Sequence, residues 1–113
     1  MTNVQGPTEG PSPMSPHDRV LYEQEYRRGV DLFQRALDQY SKADEIHKKD
    51  AFREVMDRAL QVLNETAREL KRGDLMTQNQ KISKDLESYQ NNDVDTAKNQ
   101  LAQDLNQAKK SIG

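Results

Sequence analysis

All four prolines of this 113-residue chain, Pro7, Pro11, Pro13 and Pro16, lie in its first sixteen residues. Proline fixes φ and has no N–H to donate, so it stops a helix anywhere except its first turn. Nothing of this kind interrupts the chain after Pro16. Gly6 and Gly10 stand among the prolines, and Val4 is the only aliphatic residue before Met14. Such a segment buries too little apolar surface to offset the entropy of ordering it. Residues 1–14 are therefore expected to form a disordered tail, and residues 15–113 a single helical domain.

The helical expectation rests on period. Tyr22, Tyr26, Gly29, Val30, Phe33, Ala36, Leu37 and Tyr40 recur at spacings of three and four. On a helix they fall within about 60° either side of Phe33. Ser15 suits the N-cap, Pro16 the first helical position, and Asp18 the first turn. Arg27 to Asp31 and Asp31 to Arg35 are i,i+4 pairs on the wet side. This predicts a first helix over about 16–43. The stretch from Asp44 to Lys49 breaks the period and reads as a connection, with Asp50 capping the next helix.

Phe52, Val55, Met56, Ala59, Leu60, Val62, Leu63, Thr66, Ala67 and Leu70 then cover a wider arc, roughly 160°. A wide arc suits a helix that touches more than one neighbour, so this second helix, about 50–72, is expected to be central. Lys71 and Arg72 favour its C-terminal dipole, and Gly73 is the natural left-handed residue after it. Leu75, Asn79, Ile82, Leu86 and Tyr89 form a narrow stripe, predicting a third helix over about 75–90. Asn91-Asn92 reads as a turn and Asp93 as an N-cap. Val94, Ala97, Leu101, Leu105, Ala108 and Ile112 predict a fourth helix over about 93–110. An unbroken helix over 75–110 is the rival reading. The β-branched residues never alternate over a strand length, so no sheet competes. The expected fold is all-α: a small antiparallel bundle of four amphipathic helices, or two stacked helical hairpins.

Composition narrows the function classes. Hydrophobic residues make up 33% and charged residues 32%, yet the net charge is only −2. Near-balance of many charges fits solvated helix faces rather than a nucleic-acid partner, which selects a clustered basic excess. The basic pairs Arg27-Arg28, Lys48-Lys49, Lys71-Arg72 and Lys109-Lys110 are short and mostly sit at helix ends. There is no cysteine, which removes disulfides and thiolate chemistry. The start, Met1-Thr2-Asn3-Val4-Gln5, lacks the basic and apolar regions of a secretory signal, and no apolar run approaches the roughly 20 residues of a membrane span. A soluble, cytoplasmic protein without membrane insertion is expected.

No motif carries catalysis. His17 and His47 stand in no metal-ligand spacing. Asp44, Glu45 and Asp50 lack the order of a calcium loop, and Asp93 with Asp95 reads as cap and first-turn charge. After residue 10 the only glycines are Gly29, Gly73 and Gly113, so no phosphate cradle exists. No enzyme, cofactor or metal is expected. Gly29 faces the core, where a close helix approach explains it.

Two resemblances of shape accompany this reading. Gly29-x-x-x-Phe33-x-x-Ala36 with Tyr40 resembles the second helix of a tetratricopeptide repeat, and Tyr89 before Asn91-Asn92-Asp93 with Ala97-x-x-x-Leu101 loosely resembles another such junction. Positions 46–53 do not continue the pattern, and Asp104 stands where a small residue belongs. Residues 32–70, through Ala36 and Ala59, resemble the first two helices of microtubule-interacting-and-trafficking modules. Both resemblances imply a protein-binding helical scaffold.

The core stripes leave one pair unabsorbed. Leu21 and Leu32 are eleven residues apart and share one face, about 100° to 120° from Phe33. They are expected to pack on the third or fourth helix, or else to form a partner-binding surface. The functional expectation is a non-enzymatic protein–protein interaction module: a small adaptor, scaffold or chaperone-like protein. The alternative is a nucleic-acid-associated or regulatory helical protein.

Overall fold

The computed structural model describes residues 14–113. The expected tail lies outside the described residues except for Met14, which packs half-buried against the core. Four helices follow: α1 (Pro16–Lys42), α2 (Ile46–Leu70), α3 (Gly73–Asn92) and α4 (Asp95–Ile112). There are no strands among the described residues.

α1 starts as its residues dictate. The Ser15 side chain accepts the Asp18 N–H at 3.1 Å, and Pro16 occupies the first turn, where its missing N–H costs nothing. The chain leaves α1 at Ala43 in extended conformation. α2 then begins at Ile46, four residues before the expected cap at Asp50. Its first turn is closed by the Lys49 N–H on the Glu45 carbonyl at 3.0 Å. The apolar period fails here because Ile46 and His47 face water, and a helix needs no apolar residue in its first turn. Lys49 is anchored inward: its Nζ donates to the Tyr40 carbonyl at 3.1 Å and sits 4.4 Å above the Tyr40 ring.

The next connection also differs from expectation. The left-handed residue after α2 is Lys71, with φ 55°, and its N–H reaches the Ala67 and Arg68 carbonyls. Gly73, expected in that role, is instead the first residue of α3. Asp74 lies in the first turn of α3, held by Arg72. α3 and α4 are separate helices. Asn91 and Asn92 end α3, and the turn falls on Asp93, at φ 48°, rather than on the asparagines. Both asparagine and aspartate tolerate this conformation, and the polar run Asn-Asn-Asp left the position of the turn open.

Connections of two or three residues make every successive pair antiparallel. Lys49, at the start of α2, lies 3.8 Å from Asp93, after α3, while Arg72 before α3 donates to the Ser111 carbonyl near the end of α4. α1 packs on α2 and α4, and α3 packs on α2 and α4. The bundle is therefore a closed ring of four, and α2, expected to be central, has two neighbours like every other helix.

The buried residues are Tyr26, Val30, Phe33, Ala36, Leu37 and Tyr40 of α1, and Met56, Ala59, Leu63, Ala67 and Leu70 of α2. Leu75, Ile82, Leu86 and Tyr89 of α3 meet Leu101, Leu105, Ala108 and Ile112 of α4. The Tyr40 and Tyr89 rings meet edge to face, centroids 5.4 Å apart, across the bundle diagonal. Gly29 is buried against α2. A Cβ there would stand 2.9 Å from Leu63 Cδ2 and 3.3 Å from Val62 Cγ1.

Candidate functional site

Leu21 and Leu32 do not pack on α3 or α4. They remain 51% and 44% exposed, which leaves their face open to water. The reason lies in the ring order. Gln34 and Asp31 turn toward α4, where they meet Asn106 and Lys109. Gly29, on the other flank, turns toward Leu63 and Val62 of α2. Leu32, one turn beyond Gly29, lies farther round that same flank, outside the α1/α2 seam. α3 is diagonal to α1 and cannot cover it. Leu21 continues the stripe toward the N-terminus of α1, and Val55 and Val62 of α2 are half-buried.

Other exposed apolar residues are dispersed. Val20 is half-exposed on a different face of α1, Ile46 and Val94 stand at the end of the bundle that holds the first and third connections, and Met76 lies in the first turns of α3.

The concave features are open grooves. One runs between α2 and α3 over Asp57, Leu60, Gln80 and Lys84. A second lies at the α1/α2 connection over Lys42, Glu45, Lys48 and Phe52, and a third between α1 and α4 over Gln34, Asp38, Lys98 and Asn106. His17 and His47 are exposed in first turns, and no three His, Asp or Glu side chains converge among the described residues.

Several cations have partners that spacing alone does not indicate. Asp31, expected to pair with Arg27 or Arg35 along α1, instead receives Lys109 Nζ of α4 at 2.8 Å. Arg72 grips Asp74 with two bonds, of 2.8 and 2.7 Å, and holds that carboxyl down to about 2. Burial, with Asp93 nearby, pushes the Tyr89 phenol up to about 12.

Three buried polar side chains interrupt the apolar core: Thr66, whose hydroxyl bonds back to the Val62 carbonyl of its own helix, Asn79 and Asp104. Asn79 was legible as part of the α3 stripe. Asp104 was missed: it lies on the core side of α4 with 2% exposure, between α4 and α3. The only sequence signal was its position between Leu101 and Leu105, on the buried stripe, where an acid is out of place.

No protein-family model, no curated protein and no solved structure matches this chain. The fold class is that of a compact four-helix bundle, and no helix among the described residues is long and apolar enough to cross a membrane.

Proposed function

We propose that this chain is a non-enzymatic protein–protein interaction module, a small adaptor, scaffold or chaperone-like protein, whose docking face is the outer flank of α1. The observation that carries this reading is the exposure of Leu21 and Leu32 on one helix face. Eleven residues span three helical turns, so the pair offers two apolar anchors about 16 Å apart. The partner that fits is an amphipathic helix laid along the α1/α2 seam, its apolar residues spaced to meet both leucines. The open grooves support a binding role over catalysis, since catalysis calls for a concave site that gathers perturbed groups and excludes water. The pairing of Lys109, Arg72 and Arg58 with Asp31, Asp74 and Glu54, in a chain whose net charge is −2, argues against a nucleic-acid-associated protein, which uses a clustered basic excess.

The test uses the full chain and the double variant Leu21→Lys/Leu32→Lys. A second double variant, Gln103→Lys/Gln107→Lys, alters exposed polar positions of α4 and controls for added charge. The reading requires that the leucine variant keep its helical circular dichroism and lose partner capture, while the α4 variant keeps both. Unfolding of the leucine variant would assign both residues to the core. Capture undiminished in a folded leucine variant would place any interface elsewhere.

A further inference from the structure

The seam between α3 and α4 holds two carboxyl groups where an apolar layer would otherwise close the bundle. Asp104 of α4 is 2% exposed. Its Oδ1 receives Gln100 Nε2 at 3.2 Å and lies 3.7 Å from Lys81 Nζ of α3. Its backbone carbonyl receives Gln78 Nε2 at 2.9 Å. The half-buried Asp85 of α3, one turn beyond Lys81, brings its own carboxyl within hydrogen-bonding reach of Asp104. The other oxygens are the anomaly: Asp104 Oδ2 and Asp85 Oδ2 are both buried, and neither has a hydrogen-bond partner.

Among the described residues no cation of α1 or α2 pairs with either acid. α1 packs against the opposite flank of α4, where its Asp31 and Gln34 meet Lys109 and Asn106. α2 is diagonal to α4 and meets α3 along the groove of Asp57, Leu60, Gln80 and Lys84, which Asp85 does not line. Among the described residues the cation paired with these acids is Lys81, whose side chain is 59% exposed, so solvent screens it. If both acids were ionised, two unpartnered anionic oxygens would be shielded from water, and each unmade bond to a buried polar group is costly. One shared proton relieves the pair, because a protonated carboxyl donates to the neighbouring carboxylate.

We propose that Asp85 and Asp104 share a single proton and that this proton is a latch on the α3/α4 hairpin, closed in mildly acidic solution and released towards neutral pH. Burial first, and Asp85 second, push the Asp104 carboxyl up to about 6, against the opposing pull of Gln100 and Lys81. The sign follows from linkage. The unfolded carboxyl titrates near its ordinary value of 3.8, below the folded value, so the folded state binds the proton more tightly. The added stability is complete below the unfolded value and is lost as pH rises through the folded one. Asp74, held down to about 2, acts with the opposite sign, and only below the unfolded carboxylate range.

Two measurements on the full chain test the latch. Carbon-detected NMR of the aspartate carboxyls should show Asp104 titrating with a midpoint near 6. Thermal unfolding should show a higher Tm at about pH 5 than at about pH 7.5. Asp104→Asn should abolish that difference, and Asp85→Asn should move the remaining carboxyl back toward the ordinary range. Hydrogen exchange, corrected for intrinsic rates, should slow in α3 and α4 more than in α1 and α2 on acidification. Titration of Asp104 below about pH 4.5, or retention of the full Tm difference in Asp104→Asn, would overturn the proposal. The NMR titration uses the unaltered protein, so it decides the matter even if a variant fails to fold.

Discussion

Tyr26 Oη of α1 donates a 2.7 Å hydrogen bond to Asn79 Oδ1 of α3, across a diagonal of the bundle where the two backbones do not approach. The same amide donates through Nδ2 to the Leu63 carbonyl of α2 at 2.9 Å. One asparagine thus ties three helices, and both side chains are buried. An amide has one geometry that satisfies both contacts, so the knot specifies how α1, α2 and α3 are staggered. Burial, with Asp74 adding to it, pushes the Tyr26 phenol up, which keeps the hydroxyl a neutral donor.

Removing one partner alone should therefore be costly. Tyr26→Phe leaves Asn79 Oδ1 buried and unpaired, and is expected to lose about 1–3 kcal/mol in urea unfolding. The double variant Tyr26→Phe/Asn79→Leu should cost less than the sum of its single changes, because it leaves no orphaned side-chain group. Additive losses would show that the two side chains are not coupled.

Gly29 should tolerate a branched side chain poorly. Its missing Cβ lets α1 approach Leu63 and Val62 of α2, and even a methyl would meet Leu63 Cδ2 at 2.9 Å. Gly29→Val adds two further methyls against α2 and is expected to lower stability by about 1–3 kcal/mol, the usual range for overpacking a core. A denaturation midpoint equal to that of the parent would mean the seam has slack.

The turn between α2 and α3 is improvable. Lys71 adopts φ 55°, which costs a non-glycine residue about 1 kcal/mol, so Lys71→Gly should raise the Tm. Gly73 is helical, and no atom lies within 4 Å of the place where its Cβ would stand. Gly73→Ala should therefore stabilise by about 0.4–1 kcal/mol through the unfolded state. A destabilised Gly73→Ala variant would show that this residue needs a conformation alanine resists.

The two hairpins should open with different free energies. α3 and α4 each bury a narrow stripe interrupted by a polar residue, Asn79 or Asp104, whereas α1 and α2 are longer and share the Gly29 approach. At neutral pH, amides in residues 75–110 are expected to exchange faster than those in 50–72. Equal protection throughout would indicate that the bundle melts as one unit.

Helix faces were legible because they are local. A period of 3.6 assigns Tyr26, Phe33 and Tyr40 to one side of α1, and Leu75, Asn79 and Ile82 to one side of α3, whatever those helices meet. The same residues are buried in the bundle. Helix ends were less legible, because they depend on single backbone conformations. Glycine was the natural choice for the left-handed position after α2, yet Lys71 takes it, and a run as polar as Asp44 to Asp50 hides a helical turn whose lysine reaches back to Tyr40.

The amino-acid sequence by itself determined the amphipathic helical stripes and the composition of their buried faces. The break between α3 and α4, favoured by Asn91-Asn92-Asp93 but open to an unbroken helix, was settled by the structure. Only the tertiary structure decided which flanks are covered. Leu21 and Leu32 stay in water because α1 is neighboured by α2 and α4, and neither reaches their side. Asp31 chooses Lys109 over its own helix for the same reason. Asp104 reads as one acid among many until α3 sets Asp85 and Lys81 against it. Periodicity is a property of one helix, whereas pairing, desolvation and exposure are properties of the gap between two, and no spacing along the chain encodes which helix will stand across that gap.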